Sequence, residues 1–150
     1  MGFNIVLIEP EIPTNTGNIG RLSLASGSSL HLVKPFGFEL NDKRLKRAGL
    51  DYWKHISINI YENIEDFYLR NKGANMLYFS SSATKNYTSI NFENNMFFLF
   101  GKESVGLSKE IMSENLDKLY KIPIYTKYVR SLNLANAVSI VVYEAIRNLK

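Results

Sequence analysis

Cysteine is absent from the 150 residues of this chain, and its absence excludes several classes of function at once. A cysteine nucleophile, a disulfide framework and a thiolate metal site are impossible without it. Long apolar runs near the start are missing as well, because the run from Ile5 to Ile8 is too short for a signal-peptide core or a membrane span. We therefore expect a protein of the reducing cytoplasm that is not bound to a membrane.

The common nucleotide and hydrolase motifs are also missing. Gly101 and Gly106 have the spacing of the first two glycines of a P-loop, but Leu107 stands where that loop needs a lysine. No strand-like run is followed by G-x-G-x-x-G, and no G-x-S-x-G elbow or serine–histidine pair is evident. The two histidines, His31 and His55, have no spacing that indicates a metal ligand set. We expect structural or surface roles for both of them, and no metal.

Positive charge is present in modest excess, with a formal net charge of +4 and a sequence pI near 9.2. The densest basic stretch is Asp42–Arg47, which contains four cations: Lys43, Arg44, Lys46 and Arg47. A solvated helix face is one interpretation. The other interpretation is contact with nucleic-acid phosphates, with nearby aromatic side chains stacked on bases. The sequence gives no reason to prefer either interpretation.

Short apolar runs alternate with helical segments, and each run is continuously apolar instead of alternating with polar residues. The runs predict six strands: Phe3–Glu9, Leu30–Lys34, Ile56–Tyr61, Met76–Ser80, Met96–Phe100 and Leu119–Ile124. Helices are predicted over about 18–26 and 42–47, from a cap at Asn63 to about Gly73, after a cap at Ser108, and from Leu134 to the end. Residues 81–95 are predicted to form a polar loop. This pattern is typical of an α/β fold with a mostly parallel sheet buried on both faces, and we expect one domain over residues 1–150.

Three polar loops follow predicted strands, at residues 10–20, 101–107 and 125–133. Because ligands of such sheets bind beyond the carboxyl ends of the strands, we expect these loops to converge on one site. They contain asparagine, serine, Glu103 and the arginines Arg21 and Arg130, a set that suits alignment of an already activated group. For the last loop, a plain helix N-cap by Ser131 or Asn133, just before the apolar run, is the simpler interpretation.

Three blocks of the sequence resemble the motifs of one enzyme family. They are Asn15–Arg21 (NTGNIGR), Phe100–Leu107 (FGKESVGL), and Ile122–Ile124 together with Arg130–Val138 (RSLNLANAV). In order and spacing they are similar to the three motifs of the SPOUT superfamily of S-adenosylmethionine-dependent RNA methyltransferases. Two further stretches, Glu9–Pro13 and Asp42–Tyr52, resemble the branch that methylates the 2′-hydroxyl of the wobble cytidine or uridine of tRNA.

The resemblance implies a fold that the apolar pattern alone does not reach, a parallel sheet whose C-terminal part forms a deep trefoil knot. Without the resemblance we would predict an unknotted chain, because knots are nearly absent from known protein folds. The resemblance also implies a homodimer. The apolar stripe of the last helix, which we interpret as too wide for one packing face, supports the dimer independently. The stripe comprises Leu134, Val138, Val141, Val142, Ala145 and Leu149.

The activity that the resemblance implies is 2′-O-methylation of position 34 of tRNA, with leucine tRNAs as the expected substrates. Two alternatives stay open: methylation of another tRNA or rRNA site, and a module that binds RNA or S-adenosylmethionine without catalysis. The absence of a further RNA-binding domain within 150 residues argues against the first alternative. The presence of all five motif residues expected to be catalytic argues against the second.

Residue roles follow from the resemblance, position by position. The residues expected to be catalytic are Asn15, Arg21, Glu103, Ser131 and Asn133. The residues expected to bind the cofactor are Leu77, Ser80, Gly101, Ile122, Ser131 and Leu132. The residues expected to contact RNA are Lys43, Arg44, Lys46, Arg47 and Arg130. Because a guanidinium resists deprotonation, we expect Arg21, the main catalytic residue, to stabilise the developing alkoxide and not to act as a base.

The sequence departs from the family pattern at two positions. Lys102 stands where close relatives usually have proline, and Gly20 stands where alanine or a larger aliphatic residue is usual. Neither residue is expected to be catalytic, but a glycine just before Arg21 is expected to loosen the helix there.

Overall fold

Seven parallel strands form a single sheet in the order β3-β2-β1-β6-β4-β7-β5. The computed structural model describes residues 2–150, except for the side chains of residues 49–51. The strands are β1 Asn4–Ile8, β2 Ser29–Val33, β3 Ile58–Tyr61, β4 Met76–Phe79, β5 Lys85–Asn86, β6 Phe97–Phe100 and β7 Leu119–Lys121. The predicted α/β class and the parallel sheet are confirmed.

Five α-helices flank the sheet, and three of them begin at a residue whose side chain caps the helix. The helices are α1 Pro13–Ala25, α2 Lys43–Gly49, α3 Ile64–Arg70, α4 Lys109–Glu114 and α5 Leu134–Leu149. Asn63, Ser108 and Asn133 each accept a hydrogen bond from the N–H three residues further on. These three helix starts were predicted from the sequence and are confirmed, because N-cap chemistry is local.

The start of α1 was predicted wrongly. The helix begins at Pro13, five residues before the predicted start at Asn18, and the preceding Ile12 provides no side-chain cap. Proline suits the first helical turn because its φ angle is already helical and its missing N–H has no partner there anyway. Asn15 therefore lies inside the first turns of a helix and not in a loop.

Smaller differences affect the strands. Strand β3 begins at Ile58 instead of Ile56, and residues 50–55 before it form a 3₁₀ helix. Strand β7 ends at Lys121 and not at Ile124. The loop predicted over 81–95 contains β5, which consists of two residues and pairs only with β7. Such a short edge strand carries no sequence signal of its own.

The core occupies both faces of the sheet, as a parallel sheet requires. On one face, helices α1 and α5 cover a cluster that includes Phe3, Leu7 and Phe98. On the other face, α3 and α4 cover a second cluster that includes Val33 and Phe67.

Helix α5 packs against the first of these clusters with the stripe that we had interpreted as too wide for one face. Five of the six stripe residues are buried within this chain, and Leu149 is partly buried against the same cluster. The argument for a dimer from that stripe is therefore wrong, because a single packing face accounts for it. The apolar residues that α5 leaves exposed are Ile140 and Tyr143, at 36% and 48%.

The position of β7 bears on the expected knot. Strand β7 lies between β4 and β5, which follow each other in the chain and are joined by residues 80–84 alone. The last strand thus enters the sheet between two strands that were already connected. This order is what a threaded C-terminal segment requires, and the knot itself remains a prediction.

His31 is buried on β2 and has a structural role. Its Nδ1 lies 2.8 Å from the hydroxyl of Tyr61, and its Nε2 lies 2.9 Å from Oδ1 of Asn4. Because that amide oxygen can only accept, Nε2 carries the proton and Nδ1 accepts from the tyrosine. Burial, with a smaller contribution from the charge of Arg70, lowers the pKa of His31 from 6.5 to about 4.

Candidate active site

The loop after β6 is tied to the start of α1 by one carboxylate. Glu103 accepts hydrogen bonds from the backbone N–H groups of Glu11, at 2.9 Å, and Ile12, at 2.8 Å. A helix start offers unpaired N–H groups and the positive end of the helix dipole, so an anionic partner is favourable there. Glu103 thus serves as the cap that the sequence around Ile12 does not supply.

The same two segments are joined a second time in the opposite direction. The Glu11 carboxylate accepts a hydrogen bond from the backbone N–H of Ser104 at 2.8 Å. Hydrogen bonding from the side chain and backbone of Ser104 lowers the pKa of Glu11, with a smaller contribution from the charge of Lys102. This reciprocal pairing holds the loop at residues 101–107 against the N-terminal end of α1.

The third segment reaches the same place through two asparagines. Nδ2 of Asn15 donates to Oε2 of Glu103 at 3.4 Å, and Nδ2 of Asn133 donates to Oδ1 of Asn15 at 3.0 Å. Asn133 also caps α5, because its Oδ1 accepts from the N–H of Asn136 at 3.1 Å. The two interpretations of Asn133, helix cap and site residue, are therefore compatible. Residues from all three polar segments converge at the carboxyl edge of the sheet, as expected.

Gly101 makes the sharp turn of the second segment possible. A side chain at this position would collide with the backbone of Gly106 and Leu107, so any residue but glycine would force the loop open. The loop closes on itself through a bridge in which Gly106 donates its N–H to the carbonyl of Lys102 at 2.8 Å. Lys102 also lies 3.7 Å from the carboxylate of Glu9, so the residue that replaces the usual proline forms an ion pair.

Arg21 lies on α1, and its side chain is exposed to solvent. Its guanidinium carbon is 5.2 Å from the centroid of the Tyr52 ring, within cation–π distance. The 3₁₀ helix that carries Tyr52 packs on α1 because Gly20 leaves room for the ring of Trp53. A Cβ at position 20 would lie 3.0 Å from Cζ3 of Trp53 and 2.9 Å from Cδ1 of Ile56.

The space beside Gly20 is therefore occupied by the ring of Trp53. Helix α1 continues through position 20 to Ala25, so the expected loosening of the helix is not seen. The amino-acid sequence had not indicated Tyr52 or Trp53 as neighbours of Arg21. Gly20, where relatives usually have a larger residue, was the one indication in the sequence. A glycine on a buried helix face leaves space that a large side chain from another element can occupy.

Three of the residues expected to bind the cofactor, Ser80, Gly101 and Ile122, directly follow the carboxyl ends of β4, β6 and β7. Ser80 follows β4, and its Oγ lies 2.9 Å from Oγ of Ser82. Ile122 follows β7 and is half-buried, whereas Ser131 and Leu132 are exposed just before α5. Leu77 differs from the others, because it lies in the middle of β4 with 5% of its surface exposed. Its side chain is part of the core.

The residues expected to contact RNA lie on two different segments of the chain. Lys43, Arg44, Lys46 and Arg47 are exposed on α2, which packs against α1 near Arg21. Arg44 forms an ion pair with Asp42 at 3.1 Å, so part of its charge is neutralised locally. Arg130 is exposed in the segment that joins β7 to α5.

The described part of the chain contains neither a membrane-spanning helix nor a cluster of metal-binding side chains. No helix in this part of the chain is long and apolar enough to cross a membrane. Among the side chains described in residues 2–48 and 52–150, no group of three or more histidine, cysteine, aspartate or glutamate residues could hold a metal ion.

Comparisons with known proteins agree with one another. The sequence profile of the SpoU rRNA methylase family matches residues 2–143. A protein of Geobacillus stearothermophilus, whose name provisionally assigns tRNA (cytidine(34)-2′-O)-methyltransferase activity, is 44% identical over 98% of this chain and 95% of its own length.

Two solved structures extend these comparisons. A structure from work on the 2-OH methylation of C/U34 on tRNA is 40% identical, has a TM-score of 0.95, and covers 99% of this chain and 96% of its own. An AdoMet-bound rRNA methyltransferase from Sinorhizobium meliloti is 27% identical with a TM-score of 0.87. It matches 99% of this chain but only 57% of its own length.

Proposed function

The chain belongs to the SpoU rRNA methylase family, and we propose that it methylates the 2′-hydroxyl of the wobble cytidine or uridine of tRNA. S-adenosylmethionine is the methyl donor in this proposal. The observation that carries it is the hydrogen-bonded series Glu103–Asn15–Asn133, which joins the three family motifs at the carboxyl edge of the sheet. Two relatives support the choice of substrate. Each matches nearly the full chain, one is named for methylation at position 34, and the other was solved in work on that methylation.

The residues at this edge fit S-adenosylmethionine. Half-buried Ile122 and exposed Leu132 offer apolar surface to an adenine, and Ser80 and Ser131 offer hydroxyl groups beside it. Gly101 keeps the backbone of its loop free of a side chain at the turn. The side chain of Leu77 is buried in the core, so Leu77 supports the cofactor site only as part of β4, the strand that leads to Ser80. The cofactor supplies a methyl group already activated on a sulfonium.

The side chains of the site align the two reactants. On transfer, the 2′-oxygen would bond to the methyl carbon as the methyl–sulfur bond breaks and its electron pair stays on the sulfur. The hydroxyl proton would leave to solvent, so negative charge would develop on the 2′-oxygen. Arg21 stabilises this charge, because its exposed guanidinium is a permanent cation held over Tyr52. Asn15 and Asn133 hold the first and third segments together, and Glu103 holds the second segment to the start of α1. Ser131 orients the ribose.

The exposed cations supply affinity for the RNA backbone. Lys43, Arg44, Lys46, Arg47 and Arg130 contact phosphates in this proposal, with α2 placed beside the helix that carries Arg21. Phosphate contacts orient the RNA and carry little sequence information. Selection of the wobble position then depends on the shape of the anticodon loop.

We further propose that residues 1–150 form one knotted domain. The position of β7 between β4 and β5 supports the knot.

We also propose that the protein acts in the cytoplasm as a homodimer. Leu24 on α1, together with Ile140 and Tyr143 on α5, leaves apolar surface for a second copy. Light scattering on the purified protein tests the dimer, and a monomeric mass would overturn that part of the proposal.

Methyl transfer tests the proposed function. The purified protein is incubated with labelled S-adenosylmethionine and with leucine tRNA prepared without wobble ribose methylation, and the nucleosides of the product are mapped. We expect label on the 2′-oxygen of nucleotide 34, and a rate lowered about a hundred- to thousandfold by Arg21→Ala. Label on another tRNA nucleotide, or on rRNA only, would keep the chemistry and overturn the substrate. Cofactor binding without transfer to any RNA would indicate a binding module.

A further inference from the structure

The segment that joins β7 to α5, residues 122–133, carries two tyrosines that the fold leaves almost entirely in solvent. Tyr125 is 94% exposed and Tyr128 is 85% exposed, more than any other exposed large apolar or aromatic side chain in the described part of the chain. Neither ring contributes to the core, although each could bury a large area against a partner. Their position beside the candidate site suggests that a ligand covers them.

The chain around these two rings carries charge of one sign. From Leu119 to Tyr143 there is no acidic residue, and the basic residues in that interval are Lys121, Lys127 and Arg130. Nζ of Lys127 lies 5.6 Å from the centroid of the Tyr128 ring. Aromatic rings interleaved with cations are the surface on which single-stranded nucleic acids bind, because bases stack on the rings and cations contact phosphates.

Both ends of the segment are held at the sheet edge where the proposed reaction occurs. Ile122 packs against the core, and Asn133 donates to Asn15 at 3.0 Å. Between these ends, the N–H of Tyr128 donates to Oγ1 of Thr126 at 3.2 Å, which bends the backbone between the two rings. The rings therefore belong to a segment that is anchored at the site on both sides.

We propose that Tyr125 and Tyr128 stack on unpaired bases next to the target nucleotide, while Lys127 and Arg130 neutralise the neighbouring phosphates. This inference rests on the proposed function, because it states how the RNA substrate is held. Bases of a single-stranded loop can be splayed and stacked on aromatic side chains, whereas the bases of a paired stem are not available for this. Stacking tolerates any base, so the surface selects an unpaired loop and not a base identity.

The test compares variants of the full chain in binding an anticodon stem-loop RNA that carries 2-aminopurine directly after the wobble nucleotide. Replacing Tyr125 or Tyr128 with leucine removes stacking but keeps an apolar side chain. We expect the Kd for the RNA to rise by about five- to a hundredfold for each ring lost, because base stacking contributes that much to affinity. The matching phenylalanine variants retain a ring, so their affinity and their 2-aminopurine quenching stay close to wild type.

Salt dependence separates stacking from charge. Lys127→Ala lowers the slope of log Kd against log salt by about 0.7, the value expected for one phosphate contact with a single strand. The tyrosine variants shift Kd and leave that slope unchanged. Lys118→Ala, just before the other end of β7, is the control for loss of a lysine and changes neither quantity.

Several outcomes would overturn the inference. One is an unchanged RNA Kd in the double leucine variant, and another is a wild-type protein that does not bind the stem-loop. Weaker binding of S-adenosylmethionine by calorimetry, with RNA affinity intact, would assign the rings to the cofactor. A change of mass in light scattering with RNA affinity intact would assign them to a second copy. A wild type that binds the stem-loop without methylating it contradicts the proposed function alone, because the Kd comparison still decides whether the tyrosines stack.

Discussion

The guanidinium carbon of Arg21 lies 5.2 Å from the centre of the Tyr52 ring. The arginine is on α1 and the tyrosine is on the 3₁₀ helix that follows α2, so the contact joins two elements that are distant in the chain. A ring below an exposed guanidinium limits the directions in which the side chain can point. Tyr52 is therefore a positioning residue for the arginine that we propose to be catalytic.

Replacing Tyr52 with leucine should lower kcat by about two- to fivefold, the loss expected for an exposed cation–π contact. KM for S-adenosylmethionine should not change, and Tyr52→Phe should restore the rate. In an Arg21→Ala background, Tyr52→Leu should have no further effect, since the ring acts through the guanidinium. An equal loss in both backgrounds would show that Tyr52 acts independently of Arg21.

Glu103→Gln should lower the free energy of unfolding by about 1 kcal/mol, because it removes the negative charge at the start of α1 but keeps one acceptor oxygen. Glu103→Ala should lower it by about 2 kcal/mol, since two backbone N–H groups then lose their partner. Urea denaturation measures both changes. Glu93→Gln, at an exposed loop position, is the control, and an effect of Glu103→Gln no larger than the control's would contradict the capping role.

Gly101→Ala should destabilise the protein by about 3 kcal/mol, because the added methyl group meets backbone atoms of Gly106 and Leu107 that cannot move independently. Gly106→Ala provides the comparison. Its Cβ meets open space, and only the left-handed φ of 72° opposes it, which costs about 1 kcal/mol. Thermal denaturation and calorimetric titration with S-adenosylmethionine should rank the two variants in this order. Equal effects would mean that the loop opens easily.

His31 should make stability depend on pH in a defined window. The pKa of His31 is about 4 in the folded protein and near 6.5 when unfolded, so only the unfolded state takes up the proton between these values. Above pH 6.5, His31 has no effect on the free energy of unfolding. That free energy falls as the pH drops from 6.5 to about 4, and below pH 4 His31 lowers it no further. The total loss is about 3 kcal/mol.

Urea denaturation of two histidine variants across this window isolates the effect. His31→Gln should remove that part of the slope, whereas His55→Gln, at an exposed position, should keep it. A slope that is the same in both variants would contradict the assignment to His31.

Local chemistry was predictable from the sequence, and contacts between distant segments were not. The caps at Asn63, Ser108 and Asn133 were predicted because donor and acceptor lie three residues apart. The start of α1 was predicted wrongly because its anionic partner, Glu103, lies about ninety residues further along the chain. No pattern within one segment can report such a cap.

The candidate site shows the same division. The continuously apolar strand runs predicted a parallel sheet and hence three polar segments at one edge. The pairing of Asn15 with Asn133, 118 residues apart, had no signal within either segment. The two-residue strand β5 was missed because it depends on β7 lying beside it. Gly20 was taken as a weak point because its filling partner, Trp53, is on another element.

The central claim is that the chain methylates the 2′-oxygen of nucleotide 34, and removal of that oxygen tests it most directly. The substrate is an anticodon stem-loop RNA with a single 2′-deoxy substitution, placed either at nucleotide 34 or at a neighbouring loop nucleotide. With labelled S-adenosylmethionine, we predict no transfer to the RNA that is deoxy at 34, and near wild-type transfer to the RNA that is deoxy at the neighbour. Transfer to the RNA that is deoxy at 34 would contradict the account, because the methyl group would then have another acceptor.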